Sequence, residues 1–131
     1  MKCGNTFLLY DDDYPKPHLH VVITDPDQSD CVVLVSITTE RDRSDTMTRL
    51  AAGCHPFINL PSVITYNYSK LLPCTQIKNM IASGDATAKE DASETIVRRA
   101  QAGLLETTRA PQEVKEFFLE WWAQNGVPDS N

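Results

Sequence analysis

"HLHVVITDPDQSDCVVLVSIT", residues 18–38, decides the fold. It holds two strand-like runs with a turn between them. In the first run side chains alternate with period two. One face carries Leu19, Val21 and Ile23, all apolar; the other carries His18, His20, Val22 and Thr24. The core therefore belongs under Leu19, Val21 and Ile23, and the two histidines begin the opposite face. Asp25-Pro26-Asp27 and Ser29-Asp30 supply turn chemistry. The second run, Cys31–Thr38, stays apolar without alternation until it ends in hydroxyls. That pattern predicts a central strand buried on both faces. A connection this short favours antiparallel pairing, so the start of one strand meets the end of the other. His18 and His20 then share a rim of the sheet with Ser36, Thr38 and Thr39.

Working outward, Thr6–Tyr10 reads as a short apolar strand, ended by Asp11-Asp12-Asp13 and Pro15. An acidic run of this kind is expected to be a solvated loop. Residues 40–53 are polar and read as a surface loop, followed by an extended piece at Phe57-Ile58. Ser62–Tyr68 alternates again, with Val63, Thr65 and Asn67 on one face and Ser62, Ile64, Tyr66 and Tyr68 on the other. Near residue 75 the pattern changes from strands to helices. Gln76–Ala82 predicts a short helix stopped by Gly84. Ile96, Val97, Ala100 and Leu104 have helical spacing, with Asp91 or Ser93 as a cap and Gly103 near the end. Val114, Phe117, Phe118, Trp121 and Trp122 form a broad apolar stripe between Pro111 and Gly126. The stripe packs on the sheet or binds a partner. Strands first and helices afterwards predict an α+β domain: a small antiparallel barrel over residues 4–75 and a helical extension over 76–131.

Bulk properties narrow the function classes. The chain has 131 residues, 41% of them apolar and 23% charged, which fits one soluble domain. No apolar run approaches the length of a membrane span, and Met1–Asn5 does not open a signal peptide, so a cytoplasmic location without membrane contact is expected. The four cysteines, Cys3, Cys31, Cys54 and Cys74, form no CxxC pair, which argues against structural zinc and a disulfide framework. The net charge of −6 argues against a general nucleic-acid coat but leaves room for a local basic cleft.

Three chemistries compete for the histidine rim. A metal site would need His55 and Cys54 beside the strand pair, and no further close spacing supports it. A histidine-triad phosphate site would need a third alternating histidine, and position 22 is valine. Metal-free RNA cleavage needs an acid, a base and donors for the phosphate. Histidine titrates near neutral pH, and threonine and lysine can hold phosphate. The chain supplies all of these, and neither a metal nor a cofactor is expected.

"GNTFLLY", "HLHVVITD", "VVLVSITT" and "SVITYNYSKLL" followed by "CTQI", over residues 4–82, resemble the strands of the MazF/PemK family of toxin ribonucleases. The resemblance implies an SH3-like barrel and a metal-independent endoribonuclease of a toxin–antitoxin system. RNA is the implied substrate, and an antitoxin or a second copy of the chain the implied partner. Thr38 falls on the family's catalytic-strand threonine. Lys16, His18 or His20 occupies the region where the family carries an arginine. The expected catalytic residues are His18, His20 and Thr38, with Lys16, Thr39, His55, Tyr66 and Lys70 binding substrate. Residues 85–131 lie outside the family's usual extent and read as a lid, a dimer contact or a docking site. The alternative expectation is a non-catalytic protein-interaction module built on the barrel and the aromatic C-terminal helix.

Overall fold

The two runs of residues 18–38 do pair as antiparallel neighbours. The computed structural model describes residues 1–10 and 16–126; the Asp11–Asp13 run and Pro15 lie outside the described residues. The strands are β1 (Thr6–Tyr10), β2 (Pro17–Val22), β3 (Cys31–Thr39), β4 (Arg49–Leu50), β5 (Ser62–Pro73) and β6 (Thr87–Lys89). The helices are α1 (Cys74–Ser83), α2 (Glu94–Glu106) and α3 (Gln112–Asn125). The fold is α+β. One antiparallel sheet has the order β4-β5-β3-β2-β1-β6.

In β2 and β3, His20 sits opposite Ser36 and Leu19 opposite Ile37. Between β3 and β5 the register jumps. Leu34 faces Lys70 and Ser36 faces Thr65, so two steps along β3 match five along β5. Extra residues on one strand force a bend and a stronger twist, and the sheet curls across β5. β4 and β6 are additions that the sequence pattern did not announce. Residues 40–53 read as loop throughout, yet Arg49 and Leu50 pair with Val63 and Ser62. Phe57-Ile58, read as extended, belongs to no strand.

Both faces of the sheet are covered. On one, Leu19, Val21, Ile23, Val33, Val35, Ile37, Ile64 and Tyr66 pack beneath α2 and α3. On the other, Phe7, Leu9, Val22, Val32 and Leu34 meet Cys74 and Ile77 of α1, and Ala86. Each large apolar side chain fully buried this way contributes about 1.5–3 kcal/mol. The aromatic stripe of α3 packs inward: Val114 and Phe118 are buried, and Phe117, Trp121 and Trp122 lean on the same core.

The helix ends follow local chemistry. Ser93 Oγ accepts the Ile96 N–H at 3.2 Å and starts α2. Gly84 ends α1 at φ +86°, a left-handed conformation that disfavours a Cβ. Gly103 lies inside α2 and does not end it. A Cβ there would meet Tyr66 Oη at 2.0 Å and Thr48 Oγ1 at 2.3 Å. The tyrosine is thereby allowed to reach the helix backbone. Among the described residues no helix is long and apolar enough to cross a membrane.

Candidate functional site

Where the second sheet face runs past the cover of α1, it opens into a cleft of about 700 Å³. Its floor is built by strand alternation. Thr38 sits opposite Val63, and Thr65 opposite Ser36. His18 follows one step beyond the Leu19–Ile37 pair and lines the same cleft. Asn67 and Tyr68 extend the floor; Tyr68 joins the Thr65 side because the bend in β5 breaks the alternation. Lys16, Arg41, Arg43 and Arg109 rim it, all exposed. Four of the chain's twelve lysines and arginines thus surround one hollow, against a single lining acid, Asp45. A cleft lined with one sign of charge concentrates anions from solution, even on a protein of net charge −6.

Buried polar groups normally find partners. Two of the lining side chains do not. Asp45 Oδ2 and Thr65 Oγ1 are buried with no hydrogen-bond partner. Asp45 Oδ1 accepts the Met47 N–H at 3.0 Å, which holds the carboxylate in place. A buried polar group without a partner costs about 1–3 kcal/mol, so both atoms are places where a further hydrogen bond would be favourable.

A second hollow, of about 310 Å³, adjoins the first. The two share Lys16, His18, Thr38, Thr39 and Arg41. Its far wall is the loop carrying Phe57, Ile58, Asn59 and Leu60. The His18–Thr38–Thr39 strip therefore forms the ridge between a cationic cleft and a partly apolar hollow.

The structure gathers His18, Thr38, Thr39 and Lys16 and places the other expected residues elsewhere. His20 is fully buried, on the face closed by α1, so it does not share the half-exposed setting of His18. Its Nδ1 lies 2.9 Å from the His18 carbonyl oxygen. A carbonyl only accepts, so Nδ1 carries the proton. His55 is also buried. Its Nδ1 accepts the Phe57 N–H at 3.0 Å, so its Nε2–H donates to the Glu90 carbonyl at 2.6 Å. That bond ties the loop to the segment after β6. Tyr66 is fully buried; its hydroxyl donates to the Ala100 carbonyl at 3.0 Å and lies 2.7 Å from Thr48 Oγ1, which must then be the donor. Burial pushes its phenol up to about 12, and the Thr48 hydrogen bond acts the other way. Lys70 lines a separate hollow with Leu9, Leu72 and Met80, carried there by the jump in register on β5.

Arg41, Arg43 and Arg109 were not singled out by the sequence pattern. Arg41 and Arg43 belong to a polar loop, and Arg109 to the link between α2 and α3. Two arginines two apart in an acidic chain were the only hint of the first pair; nothing local marked the third. All four cysteines are free. Among the described residues no three His, Cys, Asp or Glu side chains are grouped to hold a metal ion. No protein-family model matches the chain, and no curated protein matches it either.

Proposed function

We propose that the cleft binds the phosphodiester backbone of single-stranded RNA, and that the chain is a toxin-like, metal-independent endoribonuclease of a toxin–antitoxin system. The curled sheet is, in this reading, an SH3-like barrel of the MazF/PemK kind. The observation that carries it is the cationic cleft with His18, Thr38 and Thr39 on its edge. Lys16, Arg41, Arg43 and Arg109 offset phosphate charge, and Thr38 and Thr39 donate to phosphate oxygens. His18 takes the proton from the ribose 2′-hydroxyl as that oxygen bonds to phosphorus. The bond from phosphorus to the 5′ oxygen breaks, and the leaving oxygen gains its proton from the Lys16 ammonium or from water. The products are a 2′,3′-cyclic phosphate and a free 5′-hydroxyl. His20, Tyr66, His55 and Lys70 take no part in this chemistry.

The deciding experiment is cleavage of single-stranded RNA with chelator present, comparing the wild type with His18→Gln and with Arg41→Ala/Arg43→Ala. Chelator-resistant cleavage that falls at least 100-fold in His18→Gln is expected, a typical contribution for a positioned acid or base. Undiminished cleavage by His18→Gln rules out the assignment.

One observation favours a second reading, a protein-interaction module. A hollow of about 560 Å³ lies between the Asp25–Gln28 turn and α3, lined by Asp25, Asp27, Glu120, Phe117 and Trp121. Its acids and aromatic rings suit a basic segment of a partner. Absence of RNA cleavage, together with pull-down of a basic partner lost in Trp121→Ala, would favour this reading over the nuclease.

A further inference from the structure

Phe57 is 45% exposed and Leu60 56% exposed, both on the wall of the smaller hollow. An exposed phenylalanine on a loop is ordinary when the loop is loose. This loop is not loose. His55 accepts the Phe57 N–H through Nδ1 and anchors to Glu90 through Nε2. The Ile58 N–H donates to the His55 carbonyl at 2.9 Å, and the Gly53 N–H donates to the Ile58 carbonyl at 2.7 Å. Ile58 is buried in the main core, directly after Phe57. A buried imidazole and a core anchor therefore hold the backbone of Phe57 in place, while its ring faces solvent. Lys89 Nζ lies over the ring, 5.4 Å from its centroid, so a cation sits against one face and only the other can receive a further ring.

We infer that the smaller hollow is a nucleobase subsite, in which Phe57 stacks on one base of the RNA whose backbone lies in the adjoining cationic cleft. The inference rests on the RNA reading above and extends it. Three features select this occupant. The hollow's volume is at the low end for small-molecule sites, about 300–1,000 Å³, so it takes a base and not a folded segment. It shares the His18–Thr38–Thr39 ridge with the cleft, so a base there remains attached to a phosphate on the ridge. Cations line that shared rim, which suits a ligand with an apolar ring and an anionic backbone and disfavours a basic peptide. Single-stranded RNA is bound by this combination of stacking ring and basic track. Stacking accepts any base, so the subsite positions the strand over His18 and selects sequence only weakly. His55 is in this arrangement a positioning residue for Phe57.

The test uses 2′-O-methyl RNA hexamers, which cannot undergo attack by the 2′ oxygen, each carrying 2-aminopurine at one position. Binding is followed by fluorescence anisotropy, and stacking by quenching of the 2-aminopurine. One hexamer position is expected to be strongly quenched by the wild type. Phe57→Ala should lose that quenching and bind about 10-fold more weakly, in line with the loss of one stacked base. Phe57→Trp should keep both. Phe57→Ala replaces an exposed side chain, and its circular dichroism should match the wild type. Wild-type affinity and quenching in Phe57→Ala overturn the subsite while leaving the RNA reading in place. Failure of the wild type to bind any hexamer overturns both.

Discussion

His20 Nδ1 lies 2.9 Å from the carbonyl oxygen of His18, so a side-chain-to-backbone hydrogen bond joins the two histidines of one strand. One imidazole is sealed inside the protein, and the other lines a cleft. Their substitutions should separate cleanly. His20→Ala removes a buried, hydrogen-bonded ring and should cost about 2–4 kcal/mol of stability. His18→Ala should cost less than about 1 kcal/mol and, on the proposed function, lower cleavage at least about 100-fold. Urea unfolding and an RNA-cleavage assay on the same two variants check this; equal losses of stability would contradict the burial difference.

Gly103 is a packing requirement of the tyrosine beneath it. Gly→Ala inside a helix normally stabilises by up to about 1 kcal/mol. Here the new Cβ would lie 2.0 Å from Tyr66 Oη and 2.3 Å from Thr48 Oγ1. Gly103→Ala should instead destabilise by about 1–3 kcal/mol, the usual range for overpacking. A rise in melting temperature would show that Tyr66 moves aside at little cost.

Tyr66 makes stability fall at alkaline pH. Its phenol is raised from the ordinary value of 10 to about 12, chiefly by burial. The unfolded chain loses this proton near pH 10, while the folded chain keeps it to about pH 12. Between those values the unfolded state binds fewer protons, so stability decreases as pH rises. At roughly 1.4 kcal/mol per unit, about 2–3 kcal/mol is present below pH 10 and lost by pH 12. Tyr66→Phe should flatten that part of the curve, and its loss of the hydroxyl's hydrogen bonds should lower stability at neutral pH by about 1–2 kcal/mol. Denaturant titrations between pH 8 and pH 12 measure both. An identical alkaline slope in the variant would place the titration on another group.

The arginines of the cleft should appear in salt dependence before they appear in specificity. Each phosphate contact on a single strand contributes about 0.7 to the slope of log affinity against log salt concentration. Arg41→Ala, Arg43→Ala and Arg109→Ala should each reduce the slope by about that amount for RNA of any sequence. Anisotropy titrations at several salt concentrations test this. A slope that stays constant in all three variants would remove the cleft from the binding path.

The aromatic stripe on α3 belongs to the core through Phe118, which is fully buried. Phe118→Ala should destabilise by about 3–5 kcal/mol, whereas Leu119→Ala, on an exposed neighbour, should change stability by less than about 0.5 kcal/mol. Thermal unfolding of the pair decides whether α3 is integral or an appendage; equal melting temperatures would make it an appendage.

The sequence by itself determined what period and local chemistry can encode. Alternation put Leu19, Val21 and Ile23 in the core, and the unbroken run from Cys31 made β3 a strand covered on both sides. Ser93, Gly84 and Gly126 marked helix ends through bonds to near neighbours. Period two also put His18 and His20 on one face, but it says nothing of how far that face is covered. Only tertiary structure decided that. α1, more than fifty residues further along the chain, closes the sheet over Val22 and Leu34 and stops before His18. The jump in register on β5 carried Lys70 away from the cleft, and Tyr66 went to the helix side with Ile64. Arg41, Arg43 and Arg109 came together from a loop and a helix link that no local pattern connects. Local propensity acts over a few residues, whereas coverage of a face and convergence of charge depend on contacts between segments far apart in the chain. The strands β1, β2, β3 and β5 were therefore legible in the sequence, and β4, β6 and the cleft were not.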